Sequence, residues 1–163
     1  LTKGSLTLGS LIVEPFSVSH DAADPIGINV FTGNDKATVV TDTGVISDDI
    51  LRRLDDTTLL VLEANYDPHM LRFGPYQPFL KQRVASDEGH LSNEMAAQAL
   101  LMMKRPNFMQ VILAHRSENN NNAVLVTQTI GKMLVDGGVR IGPEMKLQHG
   151  QPNEIVSIQS VKR

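Results

Sequence analysis

No cysteine and no tryptophan occur in the 163 residues, and two Tyr and five Phe make up only 4% of the chain. Without cysteine, disulfides, Cys-built zinc knuckles and thiol catalysis are excluded, and a reducing, cytoplasmic setting suits the composition. So few aromatics argue against a base-stacking platform of the single-strand-binding kind. No apolar run reaches the ~18 residues of a membrane span, and no signal-peptide pattern opens the chain. A strong charge of either sign is missing too. At a net −3 there is no broad positive field for a polyanion, so nucleic-acid contact must rest on local patches. What is there is ordinary globular usage, 41% hydrophobic and 20% charged, in a length that suits one domain. The chain begins at Leu1 rather than Met and reads as a piece of a longer polypeptide.

Apolar periodicity and turn residues divide the chain. Residues 1–10 (LTKGSLTLGS) alternate weakly, as an edge strand does. LIVEPFSVS is a strand whose Pro15 points to an edge or bulge. IGINVFTG and KATVVTD flank Gly33-Asn34-Asp35 as the arms of a hairpin. Ser47 caps a short helix, DDILRRL, and TLLVLEAN is a buried strand. PHMLRFGPYQPFLKQRV reads as loop plus one short helix. A helix opens at Ser92 and is closed by Pro106, then MQVILAH forms a second buried strand. AVLVTQTIGKMLVDGG has Val126, Ile130, Met133 and Leu134 at helical spacing with Gly137 as its stop, and EIVSIQSV alternates as a final strand. Antiparallel strands followed by strand–helix units make an α/β fold, a sheet packed by helices.

Three apolar runs end on residues able to bind a metal, at His20, Asp42 and His115. Two imidazoles and a carboxylate at the tips of buried strands suit zinc, manganese or iron. His115 is the strongest, because a largely apolar run such as MQVILA rarely ends on His without a reason. His20 in SHDAADP could be a ligand whose ring Asp21 or Asp24 orients, but taken alone it reads first as a turn histidine. Asp42 in VVTDTG has a turn or helix-cap alternative. Glu63 ends LLVLE, where a buried acid is costly unless paired or part of a site. His90 in GHLSN precedes a helix start and is either a capping-loop residue or a proton donor to a leaving oxygen. Arg116, Ser117 and the Asn119–Asn122 run suit phosphate contacts, with a solvated, helix-capping loop preferred for at least two of the four Asn. His69 and His149 lie in polar loops and receive no role.

Together these stretches resemble the metallo-β-lactamase-fold hydrolases, and within them the WalJ/YycJ-like branch of phosphodiesterases. The matching segments are FSVSHDAADPIG, VVTDTG, LVLEANYD followed by ML, FGPYQPFLKQRV, GHLSNEMAAQAL and ILAHRSENNN, spread in order over residues 16–122. GHLSN and ILAHRS are also similar to segments of the ribonuclease Z relatives. The resemblance implies that 1–163 is the C-terminal half of the fold, the second half of an αββα sandwich, a mixed sheet with helices on one face. The N-terminal half, with its HxHxDH motif, lies outside this chain and would supply most ligands of both metals.

It further implies that His20, Asp42 and His115 hold two divalent ions in the intact domain (zinc, manganese or iron), with Asp42 bridging. His90 would assist the leaving group, Glu63 would orient His90, and Asn65, Asp67, Ser117 and Asn119 would meet substrate. The implied activity is a phosphodiesterase or exonuclease on nucleic acid, working through a metal-bridging hydroxide. A lactonase- or thioesterase-type hydrolase and a metal-free interaction module or inactive fragment are the alternatives. The expected partners are nucleic acid or another phosphodiester and the missing half, with no membrane and with self-association left open.

Overall fold

The computed structural model describes residues 4–158. Seven strands form one sheet in sequence order. The first part is an antiparallel meander: β1 (Leu6–Leu8), β2 (Leu11–Ser17), β3 (Ile26–Thr32) and β4 (Asp35–Val40). Thr32 pairs with Asp35, so Gly33 and Asn34 alone make the β3–β4 turn, with Gly33 at the left-handed φ of 56° that favours glycine. The sheet then turns parallel. α1 (Asp48–Leu54) leads to β5 (Leu59–Glu63), and β5 pairs β4. α2 (Pro68–Phe73), α3 (Pro78–Val84) and α4 (Asn93–Met102) lead to β6 (Met109–Ala114). α5 (Ala123–Asp136) then leads to β7 (Met145–His149), both connections being parallel.

Side chains of the expected type start the helices. Ser47, Ser92 and Asn122 each accept an N–H from the third residue onward, at 3.3, 3.2 and 2.9 Å. Gly137 stops α5. α4 ends at Met102, short of Pro106, because the Arg105 guanidinium takes up the carbonyls of Leu100 and Leu101.

One core joins the helices to one face of the sheet. Val40, Leu60, Leu62, Val111 and Leu113 meet Ile50 and Leu54 of α1, Leu100 of α4, and Ile130 and Leu134 of α5. Each large side chain so buried contributes roughly 1.5–3 kcal/mol. The opposite face is also apolar but lies outside this core. There Val30, Val39, Leu59 and Val61 remain half-buried or exposed, and Leu6 and Leu8 on the edge strand are 57% and 54% exposed. A concavity of about 870 Å3 lined by Val30, Ala37, Leu59 and Gln110 opens on that face. Helices on one face of a mixed sheet are as expected.

Three local expectations are corrected. The last strand is MKLQH, not EIVSIQSV: residues 154–158 adopt no regular structure, and the rest of that segment lies outside the described residues. β7 is an edge strand, so only Met145 and Leu147 need be apolar to face the core, and the alternation is too short to stand out. Ile155 in the rejected segment is 97% exposed. The 68–84 segment is two helices rather than one, each begun by a proline in its first turn. His69 and His149 therefore sit in α2 and β7, not in loops. Among the described residues no helix is long and apolar enough to cross a membrane.

Candidate metal centre

β2 and β4 both run antiparallel to β3 and hence share a direction, while β5 and β6 run parallel to β4. All four thus end at the same edge of the sheet. Their continuations deliver His20, Asp42, Glu63 and His115 there, at the carboxyl edge where sites in such sheets gather. Asp42 and His115 both adopt left-handed backbone, φ 55° and 52°, uncommon for residues with a Cβ. Such conformations persist only where surrounding bonds hold them. Here the Thr43 N–H donates to Glu63 Oε2 (3.0 Å), and the Asn65 amide donates to the His115 carbonyl (2.8 Å).

Glu63 is wholly buried and organises the site. Its Oε1 receives His90 Nδ1 at 2.7 Å and His115 Nδ1 at 2.8 Å. A carboxylate oxygen only accepts, so both rings carry hydrogen on Nδ1 and turn Nε2 to the cleft. Burial pushes the Glu63 carboxyl upward, but the bonds from His115, His90 and the Thr43 amide outweigh it and leave the group below its ordinary range. The hydrogen bond to Glu63 raises His115 against the opposing effect of its own partial burial.

His20 is oriented differently from expectation. Its Nδ1 lies 3.0 Å from the Gly89 carbonyl rather than against a carboxylate. Gly89 is required there, since a Cβ would run into the Arg83 and Val84 carbonyls. Asp21 instead pairs with Arg83, which holds its carboxyl low, and its Oδ1 lies 3.5 Å from His20 Nε2.

With its Nδ1 hydrogen on the Gly89 carbonyl, His20 also turns Nε2 to the cleft. Asp42 Oδ1 lies 3.8 Å from His20 Nε2 and 3.6 Å from His115 Nε2. These are three accepting atoms, too far apart to hydrogen-bond and with no donor between them. A divalent cation fits that donor set, imidazole nitrogens with a carboxylate oxygen. His90 joins from the side: its ring lies 5.1 Å from that of His20 and 5.3 Å from that of His115. A ligand atom from each of His20, Asp42 and His90 falls within 4.8 Å of the others.

The remaining expected residues surround this cluster. Asn65 is buried and holds the His115 carbonyl, and Asp67 caps α2 through Met70 N at 2.8 Å. Ser117 accepts from Asn120 N at 3.1 Å, and Asn119 is exposed. The Asn run divides evenly, with Asn119 and Asn122 exposed, as expected for at least two of the four. Asn122 caps α5, but Asn120 and Asn121 are buried, and Asn121 bonds the Ala64 and Asn65 carbonyls and Asn93. A recess of about 580 Å3 beside His115 is lined by Arg116, Asn122, Ala123 and Gly150. Two contributors had no signal in the sequence: Thr43, whose hydroxyl also accepts from Ser19 N at 3.2 Å, and the Gly89 carbonyl. The Thr43 N–H on Glu63 and the Gly89 carbonyl on His20 are backbone groups that every residue carries.

The Beta-lactamase superfamily domain matches residues 2–115. The chain belongs to the beta-lactamase superfamily. Two curated relatives in it are exodeoxyribonuclease YycJ of Bacillus anthracis and exodeoxyribonuclease WalJ of Streptococcus pneumoniae. YycJ is 35% identical over 155 residues, 95% of this chain and 59% of that protein. WalJ is 33% identical over 147 residues, 90% of this chain and 55% of that protein. The chain therefore spans little more than half the length of these superfamily members. The crystal structure of the metallo-beta-lactamase fold protein YhfI from Bacillus subtilis superposes with a TM-score of 0.64 at 12% identity, over 93% of this chain and 51% of that one. That likeness shows the superfamily fold.

Proposed function

We propose that this chain forms one wall of a metal-dependent phosphodiesterase cleft acting on nucleic acid. The observation that carries the reading is that Asp42 Oδ1 lies 3.8 Å from His20 Nε2 and 3.6 Å from His115 Nε2, while His20, Asp42 and His90 each bring a ligand atom within 4.8 Å of the others. The names of the two curated relatives direct it toward DNA. His20, Asp42 and His115 would hold the cations, with Asp42 between the two imidazoles. Divalent ions bound there supply an acidified water and a positive field at phosphate, which a chain of net charge −3 otherwise lacks.

The chain's own residues do the rest. Glu63 and the Gly89 carbonyl take the Nδ1 hydrogens, which fixes the tautomers that leave Nε2 of His20 and His115 as ligands. His90 holds its Nδ1–H on Glu63 in either protonation state, so its aim does not change as a proton passes from Nε2 to a departing oxygen. Asn65, Asp67, Ser117 and Asn119 would meet substrate on the His115 side, a reading supported by the exposure of Asn119. The apolar sheet face opposite the helices is where the other αβ half of the domain packs, bringing the remaining ligands.

The test is hydrolysis of bis(p-nitrophenyl) phosphate and of a labelled oligonucleotide by the protein carrying this chain. Chelator should abolish turnover and manganese or zinc restore it, and His90→Ala should lose turnover while keeping its metal. Metal loss in His90→Ala would make His90 a ligand instead. Cleavage only of a lactone or thioester would refute the phosphodiester reading.

A further inference from the structure

The scarcity of aromatics is uneven. Residues 68–84 hold Phe73, Tyr76 and Phe79, three of the chain's seven aromatic residues, together with Arg72, Lys81 and Arg83 and no acid at all. This segment is α2 and α3. Phe73 and Phe79 are 67% and 71% exposed, while Leu71, Val84 and Tyr66 form the small core that anchors the pair of helices. Exposing two large rings on one element is costly in water and marks a contact surface. The rings are also dressed for a polyanion. The Arg72 guanidinium lies 5.3 Å over the Phe73 ring, the His69 ring lies 4.6 Å from it, and Lys81 Nζ bonds the Arg72 carbonyl at 2.8 Å, which ties α3 to α2.

The position matters as much as the composition. α2 is capped by Asp67, four residues after Glu63. α3 ends at Val84, whose carbonyl accepts the His90 N–H at 2.9 Å, and Arg83 grips Asp21 next to His20. The element is thus built into the rim of the cleft.

Resting on the phosphodiesterase reading above, we propose that α2–α3 is the substrate-gripping element and that it selects strands with unpaired bases. Phe73 and Phe79 stack on bases that a duplex would hide, and Arg72 and Lys81 meet the phosphates between them. Against the net −3 of the chain, an acid-free basic segment is the local patch that contact with a polyanion requires.

The experiment measures binding of fluorescein-labelled dT20, by anisotropy in chelator, to the protein carrying this chain and to its Phe73→Ala/Phe79→Ala variant. Both rings are exposed, so the variant should keep its melting temperature. Expected is a loss of affinity of at least tenfold with dT20, and no difference between the two proteins with an abasic strand of equal length. A Phe79→Trp variant, in a chain without tryptophan, should bind dT20 as the parent does and show fluorescence quenching on binding. Turnover of bis(p-nitrophenyl) phosphate separates the two ideas. If the parent lacks it, the phosphodiesterase reading fails. If the parent has it and the double alanine variant binds and cleaves dT20 as well as the parent does, the gripping role alone is overturned. A double variant that instead changes from dimer to monomer with dT20 affinity intact would assign the surface to self-association and also overturn it.

Discussion

Glu63→Gln separates the orienting role of this carboxylate from its bulk. Glu63 accepts three N–H groups with no exposure to water: His90 Nδ1, His115 Nδ1 and the Thr43 amide. Glutamine keeps the shape but must place an NH2 on one side. If it faces Thr43, donor meets donor, and an orphaned buried N–H costs about 1–3 kcal/mol. If it faces the histidines, they must accept on Nδ1 and carry hydrogen on Nε2, which removes the lone pair His115 turns to the cleft. Each arrangement also loses charge-assisted bonds, worth about 1.5–3 kcal/mol apiece. Loss of the group that orients a ligating histidine typically lowers metal affinity about 10–100-fold. The assay is competition for zinc against a chromophoric chelator at neutral pH, together with the melting temperature of the metal-free protein. A fall in affinity of that size and a lower melting temperature are expected. A zinc Kd within twofold of the parent's would refute the idea that Glu63 sets the tautomer of His115.

In the metal-free protein, stability should peak between pH 4.5 and 6.5. Glu63, lowered from 4.5, contributes above that value and loses its contribution as pH falls through its folded pKa; His115, raised from 6.5, contributes below that value and loses its contribution as pH rises through its folded pKa. Melting curves across pH 3–9 in chelator check this, and a maximum above pH 8 would contradict it. Asn121→Leu leaves the Ala64 and Asn65 carbonyls and Asn93 without their buried partner, and urea unfolding should show a loss of about 2–4 kcal/mol; a loss under 1 kcal/mol would show that water replaces the amide. Gly44→Ala puts a Cβ into the backbone of Ser86 and Asp87, in the loop that carries Gly89 and His90. Turnover should fall at least tenfold while the far-UV spectrum is kept, and parental turnover would show that the loop gives way freely.

The candidate ligand positions were legible because each follows an apolar, strand-forming run, and a polar residue after such a run stands out. That signal singles out His115; His20 and Asp42 each have a common turn reading and gain weight only when the segments are taken together. His90 stood out only through GHLSN, since a histidine before a helix cap is otherwise unremarkable. Glu63 was recognised as an expensive acid, but its bond to His115 was not foreseen, because parallel strand pairing brings residues 52 positions apart together. His20 is held by the Gly89 carbonyl and not by Asp21 or Asp24, the carboxylates that its ligand reading offered. A backbone carbonyl 69 residues away carries no mark in the sequence. β7 was missed because one short edge strand needs only two apolar residues. The 4% aromatic content was read as an average, and averages hide a cluster such as that in α2–α3.

The central claim is that His20, Asp42 and His115 hold catalytic metal, and Asp42 lies between the two imidazoles. The most direct measurement is metal content per chain, by elemental analysis, of Asp42→Asn in the protein carrying this chain, with bis(p-nitrophenyl) phosphate turnover read on the same sample. The account predicts loss of at least one metal equivalent and a fall in turnover of at least a hundredfold. Full metal content with parental turnover would contradict it.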